Sequence, residues 1–184
     1  MCRRENLAFN PLKSGSDKDL LSRLKSGDQR AWADYTREYS VRVYNFLLAK
    51  LPNAEDADDV LSETMLATVK AVQTFDGRAS LSTLTFAIAQ RKLADFWRRR
   101  QQTSELLDTI STNAVATDRL EFMEALNKLP KQSQDVLLLR YQVGLGVQEI
   151  ADVIGRSYKA VESLLSRARE QLREALEDVI SQNE

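Results

Sequence analysis

The chain has 184 residues, of which 43% are hydrophobic and 29% charged, and its formal net charge is −1. No apolar run approaches the roughly 18 residues needed to cross a bilayer, so the composition predicts a soluble protein without membrane insertion. Cys2 is the only cysteine and there is no histidine. Disulfide scaffolds, zinc sites and Ser/His/Asp or Cys/His nucleophiles are therefore excluded, and we expect no metal, no cofactor and no catalytic residues.

Residues 1–16 are positively charged but lack an apolar segment of signal-peptide length. We expect a flexible tail there and a cytoplasmic protein. The near-neutral total charge hides two segments of opposite sign. Residues 55–63 hold five acids and no base, and residues 91–100 hold five bases against Asp95 alone. This separation indicates two different partners.

Helical periodicity runs through most of the chain, which predicts an all-α fold. A first helix at about 17–25 ends before Gly27, and Asp28 is placed to cap a second helix that reaches about Leu51. The apolar positions of this second helix recur at steps of three and four and predict a buried stripe. The stripe comprises Trp32, Tyr35, Tyr39, Val43, Phe46 and Leu47.

A third helix is predicted from the Asn53 cap to about Thr74, with acids in its first turns where they complement the helix dipole. Asp56, Asp59 and Glu63 share one face of this helix. The residues expected to pack beneath that face are Ala57, Val60, Leu61 and Leu66. The acidic face is either a binding surface for a basic partner or a solvated surface.

A fourth helix is predicted at about 81–100, after the turn-forming segment 75–80. Bases gather near its end, where they also suit the helix dipole. The aromatic residues interleaved with them are Phe75, Phe86, Phe96 and Trp97. Cations for phosphates and rings for unstacked bases together indicate a single-stranded nucleic-acid surface, although some of these rings must belong to the core.

Residues 101–118 are polar and predict a flexible linker between two small helical domains, at 17–100 and 119–184. The second domain contains a helix-turn-helix pattern at 146–170. Gly155 is placed to end the first helix of the motif with a positive φ, and Ser157 to cap the second. The outward side chains of that second helix, Lys159, Ser163, Ser166 and Arg167, are candidates for DNA contact. An ordinary helical hairpin is the alternative.

The order of these parts resembles the extracytoplasmic-function (ECF) group of bacterial sigma factors over about residues 17–178. Five stretches carry the resemblance: GDQRAWADYTREYSVRVYNFLL, AEDADDVLSETMLATVKAVQTFDGR, DFWRRR, LPKQSQDVLLLRYQVGLGVQEIADVIG and VESLLSRAREQLREAL. It implies a non-enzymatic subunit that binds core RNA polymerase and directs it to promoter DNA. It also implies an anti-sigma protein as a further partner.

The resemblance assigns three groups of site residues. Polymerase docking falls on Asp56, Asp59, Glu63 and Thr64. Recognition and melting of the minus-ten element are assigned to Phe75, Arg78, Ser80, Phe86, Arg91, Lys92, Arg98 and Arg99. Reading of the minus-thirty-five element falls on Ser157, Tyr158, Lys159, Ser163, Ser166 and Arg167.

Several positions depart from the family pattern. Leu84 stands where members usually carry tryptophan, and Arg91 where they often carry asparagine near the base pocket. Ala160, Glu162 and Leu164 make the recognition helix less basic and less hydroxylic than is usual.

Two other functions remain open at this point. A dimeric helix-turn-helix repressor would use the same motif on duplex DNA and would need a ligand pocket or a dimer interface in residues 17–100. A metal-dependent hydrolase would hold magnesium through Asp56, Asp59 and Glu63, with Glu121 and Glu124 as further ligands.

Overall fold

A computed structural model describes residues 14–103 and 117–183, and all regular secondary structure in these ranges is helical. The helices are α1 (Ser14–Lys25), α2 (Gln29–Leu48), α3 (Ala54–Thr74), α4 (Leu81–Thr103), α5 (Thr117–Lys128), α6 (Lys131–Leu137), α7 (Val147–Ile154) and α8 (Tyr158–Asn183). The all-α prediction is confirmed. No helix in these two ranges has the length and apolarity to span a membrane.

The predicted ends of the helices differ from the observed ends at three places. Helix α1 begins at Ser14, inside the predicted tail, and the rest of that tail lies outside the described residues. Helix α2 ends at Leu48 rather than near Leu51. Helices α4 and α5 extend into the predicted linker from both sides, and its remaining residues, 104–116, lie outside the description.

The predicted caps are present. The side chains of Asp28 and Asn53 accept hydrogen bonds from first-turn N–H groups of α2 and α3 at 2.8–3.2 Å. The hydroxyl of Ser157 accepts from the Ala160 N–H at 3.3 Å. Gly155 ends α7 with φ +65°, in the left-handed region that favours glycine. Local sequence chemistry therefore fixes where these helices start and stop.

Helices α1 to α4 pack around the aromatic stripe of α2. Tyr35 and Tyr39 are almost fully buried, with their rings stacked at 4.3 Å between centroids. Trp32, at the end of the stripe, is half-buried, and its indole Nε1–H donates to the Leu24 carbonyl at 3.0 Å. The buried rings of this stripe therefore pack α2 against α1 and α4.

A second hydrophobic cluster is continuous between the helices before the predicted linker and those after it. Its members from α2 and α4 include Phe46 and Phe86. Their fully buried rings pack edge to face, with 5.7 Å between the ring centroids. The cluster continues into the buried residues of α5 to α8. The two predicted helical parts thus lie against each other and share a core.

Polar contacts accompany this shared core. Lys50, next to the end of α2, forms an ion pair with Asp135 of α6, and only 7% of the Lys50 side chain is exposed. The Arg42 guanidinium donates to the Val143 carbonyl at 2.8 Å. The segment that leads to Val143 is a π-helical turn, Leu138–Gln142, in which the Val143 N–H donates to the Leu138 carbonyl at 3.0 Å.

Candidate functional site

The acidic face of α3 is formed as predicted, with one exception. Asp59 is exposed, and the side chains of Asp56 and Glu63 are 22% and 36% exposed. Thr64 is fully buried, and its hydroxyl donates to the Val60 carbonyl at 2.7 Å. Thr64 is therefore packed inside the protein in this arrangement, with its hydroxyl bonded to its own helix, and its side chain is not exposed at the acidic face.

Two carboxylates of α3 are paired with three cations of α4. Glu63 accepts from Lys92 Nζ and from the Arg99 guanidinium, each at 3.1 Å, and Asp56 accepts from Arg100 at 3.1 Å. The hydrogen bond from Lys92 is the main cause that holds the pKa of Glu63 below its ordinary value. Burial is the next largest effect and opposes this shift, and Arg99 acts in the same direction as Lys92. We call these five residues the ion-pair face.

An open cleft lies beside these pairs between α3 and α4. Its volume is about 310 Å³, and it is lined by Asp59, Val60, Glu63, Phe96, Arg99 and Arg100. The Arg100 guanidinium lies 5.9 Å from the centre of the Phe96 ring. A charged or planar group that entered this cleft would meet both signs of charge and an aromatic surface.

Of the remaining candidates for the minus-ten element, Arg78 of the loop and Arg98 of α4 are exposed. Arg78 is 91% exposed at its side chain and pairs with Asp76 at 3.1 Å. Phe75 is half-buried at the end of α3. Arg98 is exposed and pairs with Asp95 on its own helix at 2.7 Å.

Two of the other candidates on this side, Ser80 and Arg91, lie beside α7, and the third, Phe86, belongs to the core. The Ser80 hydroxyl donates to a carboxylate oxygen of Glu149 on α7. The ring of Phe86 is fully buried in the shared core, so it cannot touch DNA in this arrangement. Arg91 is exposed at the edge of a cavity of about 300 Å³ that Arg156 also lines. Sequence reasoning did not anticipate that the helix-turn-helix would cover this part of α4.

The second helix of the helix-turn-helix presents its candidate residues to solvent. Buried Val161, Leu165 and Ala168 fix its inner face against the core. The candidates for the minus-thirty-five element are all exposed: Ser157, Tyr158, Lys159, Ser163, Ser166 and Arg167. We call these six residues the reading face. The outward direction predicted from spacing is confirmed for Lys159 and its neighbours.

The sequence did not predict that two apolar residues of α3 would be exposed. Leu66 is 67% exposed and Val69 is 44% exposed. The prediction that Leu66 packs beneath the acidic face is wrong. It lies seven residues after Asp59 and three after Glu63, hence on the same side of the helix, and this spacing could have revealed it.

The magnesium-site alternative gains no support from the geometry. Asp56 and Glu63 point to cations of α4, and within residues 14–103 and 117–183 no group of three potential ligands is close enough to hold a metal ion.

A groove with a volume of about 740 Å³ lies between α2, the α5–α6 region and α8. Its lining is mostly apolar and includes Leu48, Phe122, Met123, Leu172 and Leu176. Both helical parts of the chain contribute to it.

Comparisons with known proteins give a consistent result. Family models for sigma-70 region 2 and sigma-70 region 4 match residues 36–103 and 119–172. The RNA polymerase sigma factor CnrH of Cupriavidus metallidurans is 30% identical over 176 residues, covering 85% of this chain and 92% of CnrH. The ECF RNA polymerase sigma factor SigF of Caulobacter vibrioides is 30% identical over 168 residues, covering 86% of this chain and 93% of SigF.

Among solved structures, CnrH in complex with the cytosolic domain of CnrY matches with a TM-score of 0.70 and 28% identity, over 88% of this chain and 97% of the other. The sigma factor RpoE of Bartonella quintana, in complex with the anti-sigma factor NepR, has a TM-score of 0.67 at 21% identity, over 78% of this chain and 97% of the other. The second match supports the fold alone.

Proposed function

This chain belongs to the ECF group of RNA polymerase sigma factors, and from that premise we propose which of its surfaces performs each step of promoter-directed initiation. As a transcription initiation factor, it directs core RNA polymerase to promoters. RNA synthesis is then the chemistry of the polymerase, and this chain acts as a non-enzymatic specificity subunit. The supporting observation is the order of an acidic α3, a basic and aromatic α4, and a helix-turn-helix with an outward reading face.

We propose that α3 docks on core polymerase through its acids together with Leu66. Asp59 and Glu63 supply charge that steers a basic partner, and the exposed Leu66 supplies apolar area at the same face. Interfaces of this kind depend on a few desolvated apolar anchors surrounded by polar contacts. An exposed leucine flanked by carboxylates suits that role better than a solvated helix surface does.

For the minus-ten element, we propose that the loop at 75–80 and helix α4 bind the opened strand. The cations of α4 contact phosphates, and aromatic rings beside them stack on exposed bases. Because Ser80 is bonded to Glu149 of α7 and Phe86 is buried in the shared core, the helices around these two residues must move before a strand can reach them.

For the minus-thirty-five element, we propose that the reading face enters the major groove of duplex DNA. Lys159 and Arg167 provide cations, and Ser163 and Ser166 provide hydroxyls that reach base edges or phosphates. The buried inner face of α8 holds these side chains on a rigid support. Glu162, also exposed, is assigned no contact.

A further partner that we propose is an anti-sigma protein. The support is that CnrH, to which this chain is similar, was solved with the cytosolic domain of CnrY. We propose the apolar groove of about 740 Å³ as its seat, because both helical parts line it and a ligand there would hold them together.

Equilibrium binding of the labelled full-length chain tests the proposed function. We expect the chain to bind core polymerase more tightly than duplex promoter DNA, because a small basic surface alone gives weak, salt-sensitive DNA contact. Tight sequence-specific binding to duplex DNA by the free chain, without affinity for core polymerase, would support the repressor instead.

A further inference from the structure

The two surfaces assigned to polymerase and to minus-ten DNA are bonded to each other in this structure. Glu63 on the polymerase side holds Lys92 and Arg99 on the DNA side, and Asp56 holds Arg100. The donors and acceptors lie 29 to 44 residues apart in sequence, so the contact depends on how α3 packs on α4. The ion-pair face is therefore a junction between two binding surfaces.

A cation held by a carboxylate is less available to a phosphate. The ammonium of Lys92 and the guanidinium of Arg99 donate charge-assisted hydrogen bonds to Glu63, and the carboxylate neutralises the positive potential that would attract DNA. Affinity for a nucleic-acid backbone depends on the number of phosphates neutralised. While the pairs persist, the DNA surface lacks the full charge of its side chains.

These pairs are accessible enough to exchange partners. The side chains of Lys92, Arg99 and Arg100 are 30%, 57% and 37% exposed, and the cleft between α3 and α4 opens beside them. Partly exposed pairs of this kind contribute little net stability, so replacing one cation by another is energetically inexpensive. The buried Lys50 pair, at 7% exposure, offers no such access.

We propose that cationic side chains of the docking polymerase surface displace Lys92, Arg99 and Arg100 from Glu63 and Asp56, which releases these three cations to the phosphates of minus-ten DNA. This inference rests on the proposed function of α3 and α4. Docking then raises the DNA affinity of the same domain without a change of fold, and the free chain keeps a weakened DNA surface.

Neutral isosteric variants of the full-length chain test the exchange. Glu63→Gln removes the carboxylate that is bonded to Lys92 and Arg99, and Glu55→Gln is its matched control, since Glu55 is exposed on the same helix and outside the three pairs. Asp56→Asn releases Arg100 alone, with Asp58→Asn as its control. Each variant removes one negative charge, so differences within a matched pair report the released cations.

The measurement is the salt dependence of binding to a labelled single-stranded DNA oligonucleotide. We expect Glu63→Gln to bind several-fold more tightly than Glu55→Gln at low salt, with a log–log salt slope steeper by about 1.4, because each extra phosphate contact on a single strand adds about 0.7. For Asp56→Asn the slope should steepen by about 0.7 relative to Asp58→Asn. Equal slopes within both matched pairs would overturn the exchange.

A second arm uses reconstituted holoenzyme at saturating core polymerase. There the slope difference between Asp56→Asn and Asp58→Asn should vanish, because docking has already freed Arg100. A difference that persists in the holoenzyme would overturn the proposal, since the cations would then remain on their carboxylates after docking.

Core affinity, measured in parallel, separates this inference from the proposed function. Suppose that Glu63→Gln binds core polymerase more weakly than Glu55→Gln but has the same salt slope of DNA binding. Then α3 docks on the polymerase, and the proposed exchange is wrong. If core binding is unchanged in both Glu63→Gln and Asp56→Asn, the docking role of these acids fails, and the exchange fails with it whatever the DNA result.

Discussion

The ion-pair face and the reading face both carry lysine and arginine side chains, but these cations are in opposite states. On the ion-pair face, Lys92, Arg99 and Arg100 are held by carboxylates of the neighbouring helix. On the reading face, Lys159 and Arg167 project into solvent from a helix whose inner side is buried, and neither makes an ion pair within the described part of the chain. One of the two proposed DNA surfaces is therefore preformed, and the cations of the other are bonded within the protein.

This difference fits the order of events at a promoter. Duplex DNA upstream is available to the reading face from the first encounter, whereas a single strand at the minus-ten element exists only once the duplex opens. A surface for single strands that stays neutralised until the polymerase has docked limits non-specific binding by the free chain.

Phe86→Ala addresses whether this minus-ten candidate belongs to the core. Because the ring is fully buried against Phe46, we expect truncation to lower the free energy of unfolding by about 3–5 kcal/mol. Urea denaturation followed by circular dichroism measures the change. Phe122→Ala, at 38% exposure, is the control and should cost clearly less. A loss below about 1 kcal/mol for Phe86→Ala would mean that the ring is not held in the core.

Arg167→Ala tests whether the reading face works in its preformed state. If the guanidinium contacts a base edge, we expect the binding free energy of the holoenzyme for a promoter fragment to weaken by about 1–3 kcal/mol. The sequence preference at one base pair should then relax as well. A phosphate contact would instead weaken all sequences alike and reduce the salt slope by about 1. Arg173→Ala is the matched control, because this arginine of α8 pairs with Glu170 and Glu177. Equal effects of the two variants would exclude the proposed reading role.

Leu66→Ala asks whether the acidic face also has an apolar anchor. With 67% of the side chain exposed, truncation should change the free energy of unfolding by less than about 0.5 kcal/mol. We expect it to weaken core polymerase binding by more than about 1 kcal/mol, as an interface anchor does. Val41→Ala, 59% exposed on α2, should change neither quantity. Unchanged core binding by Leu66→Ala would restrict docking to the charged residues.

The smallest expected effect is the pH dependence of the ion-pair face. Lys92 and Arg99 hold the pKa of Glu63 below its ordinary 4.5, so the pairs add stability at neutral pH and lose it as pH falls through the lowered pKa. The stability difference between wild type and Glu63→Gln should be constant from pH 7 to about 5 and shrink below about 4.5. Because the pairs are partly exposed, its size should stay below about 1 kcal/mol. Urea midpoints across this pH range measure it, and a difference that grows on acidification would contradict the pairing.

Local features of the fold were predictable from the sequence because they depend on neighbouring residues. The caps at Asp28, Asn53 and Ser157 and the left-handed Gly155 follow from turn and cap chemistry within a few positions. Spacing alone likewise gave the outward direction of Lys159 on α8.

Features that depend on packing between distant helices were not predictable in the same way. The bonds from Lys92 and Arg99 to Glu63 require a crossing of α3 and α4 that spacing does not specify. The burial of Phe86 depends on its packing against Phe46 of α2 in the shared core, and Leu66, counted as core by its apolarity, lies on the acidic side instead. A residue type indicates what a side chain can do, whereas packing decides which neighbour it meets.

The most direct test of the division of labour is in vitro transcription from a pool of genomic fragments, with core polymerase alone, with wild-type chain and with Arg167→Ala. We expect start sites that require the chain and share paired upstream elements, with Arg167→Ala weakening dependence on the upstream element alone. If no start depends on the chain while the chain by itself shifts particular duplexes, the assignment of α3 to polymerase docking and of α4 to minus-ten DNA is contradicted.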